Sequence, residues 1–76
     1  MKSFNVLISS INDVKNFVNI VSKYDFDIDL ISDRYVVDAK SIMGIFSLDL
    51  TKPITVEVHS DDTDAIAEEL KPYMAE

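Results

Sequence analysis

The sequence predicts an α+β fold: a four-stranded antiparallel sheet with three helices on one face, an open-faced sandwich in the order β-α-β-β-α-β-α. Three observations lead there. Four segments alternate apolar and polar residues with a period of two, as half-buried strands do. Three others carry apolar residues at helical spacing. The strands are mostly half-polar, which places the helices together on one side and leaves the other side wet. With 76 residues there is room for one core only, and 1–76 reads as a single domain with no repeat, low-complexity stretch or linker.

Phe4, Val6 and Ile8 alternate with Asn5 and Leu7 in the first strand. Ser10 then starts a helix, with Asp13 in its third position, a loose capping box whose carboxylate also suits the helix dipole. Ile11, Val14, Phe17, Val18 and Val21 form the inward stripe, while Lys15, Asn16, Asn19 and Ser22 face water, and the helix is expected to end near Lys23. Phe26, Ile28 and Leu30 alternate with Asp27 and Asp29 in the second strand. Ser32-Asp33 supplies turn residues, and Tyr35, Val37 and Ala39 continue the alternation in a third strand, closing a hairpin. A short helix is expected over 41–48 and a connection over 49–53, where Pro53 is admissible because it precedes the strand proper. The fourth strand runs over 54–59. Asp61 or Asp62 is expected to cap the last helix, with Ala65, Ile66, Leu70 and Tyr73 inward, and Pro72 should stop or bend it.

The short helix carries the clearest functional signal. At about 100° per residue, Ile42, Met43 and Phe46 share one arc, while Ile45 and Leu48 point the opposite way. Two turns lying on one layer bury one arc, and the other remains as an apolar contact surface in which Met adapts to partners of differing shape. A helix buried on both sides would show the same spacing.

Composition narrows the classes. There are no cysteines, which removes disulfides, thiol nucleophiles and Cys-based zinc sites. A hydrophobic content of 47% must hold the fold. The 14 acidic and 7 basic residues give a net charge of −7, without the Lys/Arg excess that direct nucleic-acid binding needs. Residues 1–3 lead at once into a strand, with no signal-peptide pattern, and no apolar run reaches membrane length. A soluble cytoplasmic protein is expected, not inserted in a membrane and with no cofactor.

The stretch Asp38-Ala39-Lys40-Ser41-Ile42-Met43-Gly44-Ile45-Phe46-Ser47-Leu48 resembles the regulatory serine site of HPr, the histidine-containing phosphocarrier of the bacterial sugar phosphotransferase system. Ser22-Lys23-Tyr24-Asp25 and the strand over 27–30 also look like that family, the element order is the same, and the resemblance covers essentially the whole chain. It implies the HPr-like open-faced sandwich. It also implies a serine, here Ser41, that a dedicated ATP-using kinase phosphorylates, and a phosphorylated product that binds a transcription regulator as corepressor.

One motif departs. Family members open the first helix with Gly-x-His-Ala-Arg-Pro, whose histidine takes phosphate from enzyme I and hands it to a permease component. Laid along this chain without gaps, the histidine falls on Ser10, the arginine on Asn12 and the proline on Asp13. A relay needs a nucleophile partly unprotonated near neutral pH whose phosphorylated form gives the group up again, which imidazole provides and an unactivated hydroxyl does not. Asp13 also sets a negative charge where phosphate would sit. The phosphohistidine relay is therefore expected to be lost, as in the catabolite-repression variant of the family.

The expected function is regulatory docking and not enzymatic catalysis, with Ser41 as the switch, Ile42, Met43 and Phe46 as apolar anchors and Lys40 as a charge contact. The expected partners are a serine kinase of the HPr type and a transcription regulator or permease component. A working phosphocarrier is the alternative, and it would need Ser9, Ser10 or His59 to carry phosphate. A plain α+β binding domain, with Asp25, Asp27, Asp29 and Asp33 recognising a cationic ligand, is another; these read more simply as the solvated side of a hairpin. His59, the lone histidine, reads as a solvated strand residue beside Thr55 and Glu57. With carboxylates scattered along the chain it is not expected to form a metal site.

Overall fold

The computed structural model describes residues 2–75, one short at each end of the expected domain. The elements are β1 (Lys2–Val6), α1 (Ile11–Val21), β2 (Ile28–Ser32), β3 (Tyr35–Asp38), α2 (Ile42–Phe46), β4 (Ile54–Val58) and α3 (Asp64–Leu70), followed by a 3-10 turn at Lys71–Tyr73. The strands form one antiparallel sheet in the order β1-β4-β2-β3.

Alternation along the strands decides which face is dry. Val6, Ile28, Leu30, Ile54, Val56 and Val58 turn inward, and with Val14, Phe17 and Val21 of α1, Ile45 of α2, and Ile66 and Leu70 of α3 they form one buried cluster. All three helices thus lie over one face, as the half-polar strands require. The other face carries Asn5, Asp29, Thr55 and Glu57.

Several boundaries differ from the expected ones for local physical reasons. Ile11, assigned to the inward stripe, is 63% exposed: it is the first residue of α1, and its side chain tilts back past the N-terminal end of the helix and beyond the core. The helix closes at Val21, and two turn bonds, Lys23 N–H to Ile20 C=O and Tyr24 N–H to Val21 C=O, finish it. Phe26 precedes β2 and rests on the ring of Tyr24 at 5.3 Å. Tyr35 is 67% exposed at the start of the edge strand β3, beside the hairpin turn. Ala39 lies just past β3 and is fully buried, its N–H bonded to Ile28 C=O. Asp33 adopts φ 53 in the two-residue hairpin turn, a left-handed conformation that Asp tolerates.

The N-cap position of the last helix is held by the buried Thr63, whose side chain makes no capping hydrogen bond, rather than by Asp61 or Asp62, and Ala65 faces solvent. Pro72 falls in the 3-10 turn that ends it. The chain then returns alongside β1. Leu7 N–H donates to Tyr73 C=O and Ala75 N–H to Asn5 C=O, at 2.7 and 2.8 Å, and Met74 bridges to Val6. Tyr73 meets the ring of Phe17 edge-on at 6.4 Å. Residues 73–75 therefore cover the β1 edge of the sheet, which would otherwise offer unpaired backbone groups. Among the described residues, no helix is long and apolar enough to cross a membrane.

Candidate functional site

At the start of α1, Ser10 is extended (φ −121, ψ 162) and its Oγ accepts the N–H of Asp13 at 3.0 Å. The hydroxyl therefore acts as a helix cap. Asn12 is exposed and Asp13 half-buried, with the Asp13 carboxylate in the first turn. Leu7 and Ile11, on either side in sequence, are both exposed. This apolar flank was hidden in the sequence because Ile11 fits the helical stripe.

The segment around α2 divides as its periodicity requires. Ile45 is fully buried and Leu48 nearly so, whereas Met43 is 77% and Phe46 42% exposed. Ile42 is half-buried against the core, which leaves Met43 and Phe46 as the outward part of the expected anchor set. Ser41 caps this helix and is itself partly buried: its Oγ accepts Gly44 N–H at 3.2 Å, its carbonyl accepts Ile45 N–H, and its N–H donates to Asp38 C=O. Gly44 sits where a Cβ would come within 3.3 Å of both Ser41 Oγ and Val37 Cβ, so the missing side chain lets α2 lie close against β3.

Lys40, expected as a charge contact for a partner, points elsewhere. Its ammonium donates to the carbonyls of Tyr24 (2.6 Å) and Phe26 (3.1 Å), and its N–H to Asp38 Oδ1 (2.9 Å). The charge satisfies two backbone carbonyls of the turn between α1 and β2 that lack ladder partners, which makes Lys40 a clamp within the fold.

His59 is exposed on the same face as Glu57, as expected, but in closer company than the sequence suggested. It follows β4 on the open face of the sheet, its N–H bonded to Asp27 C=O. Its Nε2 lies 2.9 Å from Asp29 Oδ2 and 3.4 Å from Glu57 Oε1. Ligand atoms of these three residues all fall within 4.8 Å of one another. Carboxylates that look scattered in sequence are thus gathered by strand pairing, since Asp29 is the register partner of both Glu57 on β4 and Asp38 on β3. Asp27, Ile28, Asp29, Asp38 and His59 line an open pocket of about 320 Å³. Of the other acidic candidates, Asp25 is exposed before β2 and Asp33 occupies the hairpin turn. In the β1–β4 register Lys2 pairs with Val58, so His59 lies at the opposite end of β1 from the one where the chain leaves for Ser10.

A family model described as "PTS HPr component phosphorylation site" matches residues 12–76. The fold is similar to that of HPr-C-His from Thermoanaerobacter tengcongensis, with 28% identity and a TM-score of 0.77 over 92% of this chain and 86% of that one. It is likewise similar to the phosphocarrier protein HPr from Bacillus anthracis str. Ames, with 28% identity and a TM-score of 0.72 over 97% of this chain and 94% of that one.

Proposed function

Because the chain belongs to the HPr family of the phosphotransferase system, we propose that it serves there as a regulatory docking protein that no longer relays phosphate. One observation supports the reading: the hydroxyl of Ser10, the residue on which the gapless reading of the sequence sets the family's histidine, is held as the cap of α1 by Asp13 N–H. A serine ester at that position would be stable and would not pass its phosphoryl group on. The carboxylate of Asp13 adds repulsion in the first helical turn, where the backbone would otherwise favour an anion. His59 offers no replacement, being at the far end of β1 and against two carboxylates that repel phosphate.

The position of Ser41 as the cap of α2, next to exposed apolar side chains, supports the regulatory half of the reading. Ser41 is the acceptor for an HPr-type serine kinase, beside the exposed Met43 and Phe46, which anchor the partner. Phosphorylation adds about −1.5 to −2 charges at pH 7 and three strong acceptor oxygens. An oxygen of the phosphoserine can keep the Gly44 N–H bond, so the modification changes the surface beside Met43 while leaving α2 wound. The partner surface it creates suits an arginine-bearing regulator. The protein is a component of a carrier family and not itself a catalyst, and its partners are proteins.

The test is incubation with ATP and an HPr-type serine kinase, followed by intact mass. One phosphate is expected, absent in Ser41→Ala. Failure to label, or label that persists in Ser41→Ala, would remove Ser41 as the switch.

A further inference from the structure

We propose that Asp29, Glu57 and His59 form a zinc site on the open face of the sheet. The proposal rests on the geometry of three ligands held by two adjacent strands, independently of the docking function.

The distances fit a metal. With Zn–N and Zn–O bonds of about 2.0–2.1 Å, two ligands of a tetrahedral zinc stand about 3.3 Å apart. His59 Nε2 stands 2.9 Å from Asp29 Oδ2 and 3.4 Å from Glu57 Oε1, bracketing that value, and the ligand atoms of all three lie within 4.8 Å of one another, so side-chain adjustments can close them around a metal. All three side chains are partly sheltered, with 27–36% of each exposed. Their backbones are fixed by strand pairing and by the His59 N–H to Asp27 C=O bond. Ligands on rigid elements lose little entropy on binding.

The electrostatics of the sheet ask for a cation. Glu57, Asp29 and Asp38 stand in one row across β4, β2 and β3, and like charges directly opposite one another destabilise a sheet. One imidazole offsets at most one of the three. The lysine ion pairs among the described residues lie elsewhere, at Glu69, Asp49 and Glu68. The pocket against this row is open to solvent, which leaves room for water in the remaining coordination position. A nitrogen ligand beside two carboxylates favours zinc over magnesium, which prefers all-oxygen octahedral surroundings.

Calorimetric titration of the untagged chain with zinc chloride, alongside magnesium chloride, tests the site. Saturable uptake of one zinc is expected, with no heat from magnesium at the same concentrations. His59→Ala and Glu57→Gln should each weaken zinc binding at least tenfold, and Asp25→Asn should leave it unchanged. The ring nitrogen resonances of His59 should shift with zinc and saturate with it, a readout that does not depend on any variant folding. No saturable uptake, uptake indifferent to both ligand substitutions, or an unmoved His59 ring would overturn the assignment, as would magnesium binding as tightly as zinc.

Discussion

The ammonium of Lys40 closes the turn between α1 and β2 by donating to the Tyr24 and Phe26 carbonyls. Hydrogen bonds from charged groups contribute about 1.5–3 kcal/mol each when sheltered, and this pair is only part-buried. Lys40→Met is therefore expected to lower unfolding free energy by about 2 kcal/mol, within the range of a single charge-assisted bond, as measured by urea denaturation. An unchanged midpoint would show that the ammonium is not needed there and is free for a partner. At this scale the sequence revealed residue type and face but not company. Lys40 beside Ser41 read as a surface charge because its acceptors lie 14 and 16 residues away in the chain. The cluster at His59 was hidden for the same reason, since Asp29 reaches it from another strand, 30 residues distant.

At the scale of elements, α2 separates stability from recognition. Ile45 is fully buried and Met43 is 77% exposed, within the same helical turn. Ile45→Ala should cost about 2–5 kcal/mol, the usual penalty for truncating a buried Ile. Met43→Asp should cost under about 0.5 kcal/mol, as surface changes do, yet weaken binding to the serine kinase at least tenfold. Unfolding curves and a binding titration check both, and a large stability loss in Met43→Asp would mean that its side chain is core. Periodicity set the two arcs apart but left open a helix buried on both sides, which the exposure of Met43 decides. The exposure of Ile11 was hidden, because a helical wheel records angle but not position along the helix, and Ile11 is its first residue. The return of residues 73–75 along β1 was equally hidden, since Tyr73 and Met74 carry no strand alternation.

The turn after α1 is tied to α3 by Lys23 Nζ and Glu69 Oε1 at 2.8 Å. The hydrogen bond from Lys23 holds the Glu69 carboxyl below its ordinary range, and the same bond raises Lys23 above its own. A lowered carboxyl adds stability that is present above the ordinary glutamate pKa and lost as pH falls through the folded value. The raised amine adds stability present below its ordinary pKa and lost as pH rises through its folded value. The difference in melting temperature between native protein and Lys23→Ala should therefore be flat across neutral pH and shrink below about pH 5. A difference that persists undiminished into the acid range would show that the ion pair contributes nothing and that packing of the Lys23 stem is responsible.

For the molecule as a whole, the fold was legible because β1, β2 and β4 each carry the apolar-polar alternation, although β3, with Val36 and Val37 in succession, does not. Phe4-Asn5-Val6, Ile28-Asp29-Leu30 and Val56-Glu57-Val58 each assign a buried side without reference to the others, and one side is all that three helices over a small sheet can use. The strand order β1-β4-β2-β3 is not contained in that alternation, which fixes faces but not neighbours. The two faces then divide the work. The helical side places the Ser10 cap and the exposed edge of α2, and the open side gathers acid and imidazole at His59. The loss of the relay is the claim on which the functional account rests. Incubating the chain with phosphoenolpyruvate and enzyme I and reading the intact mass measures it most directly. The account predicts an unmodified mass, and transfer of a phosphoryl group to the chain and onward to a permease component would contradict it.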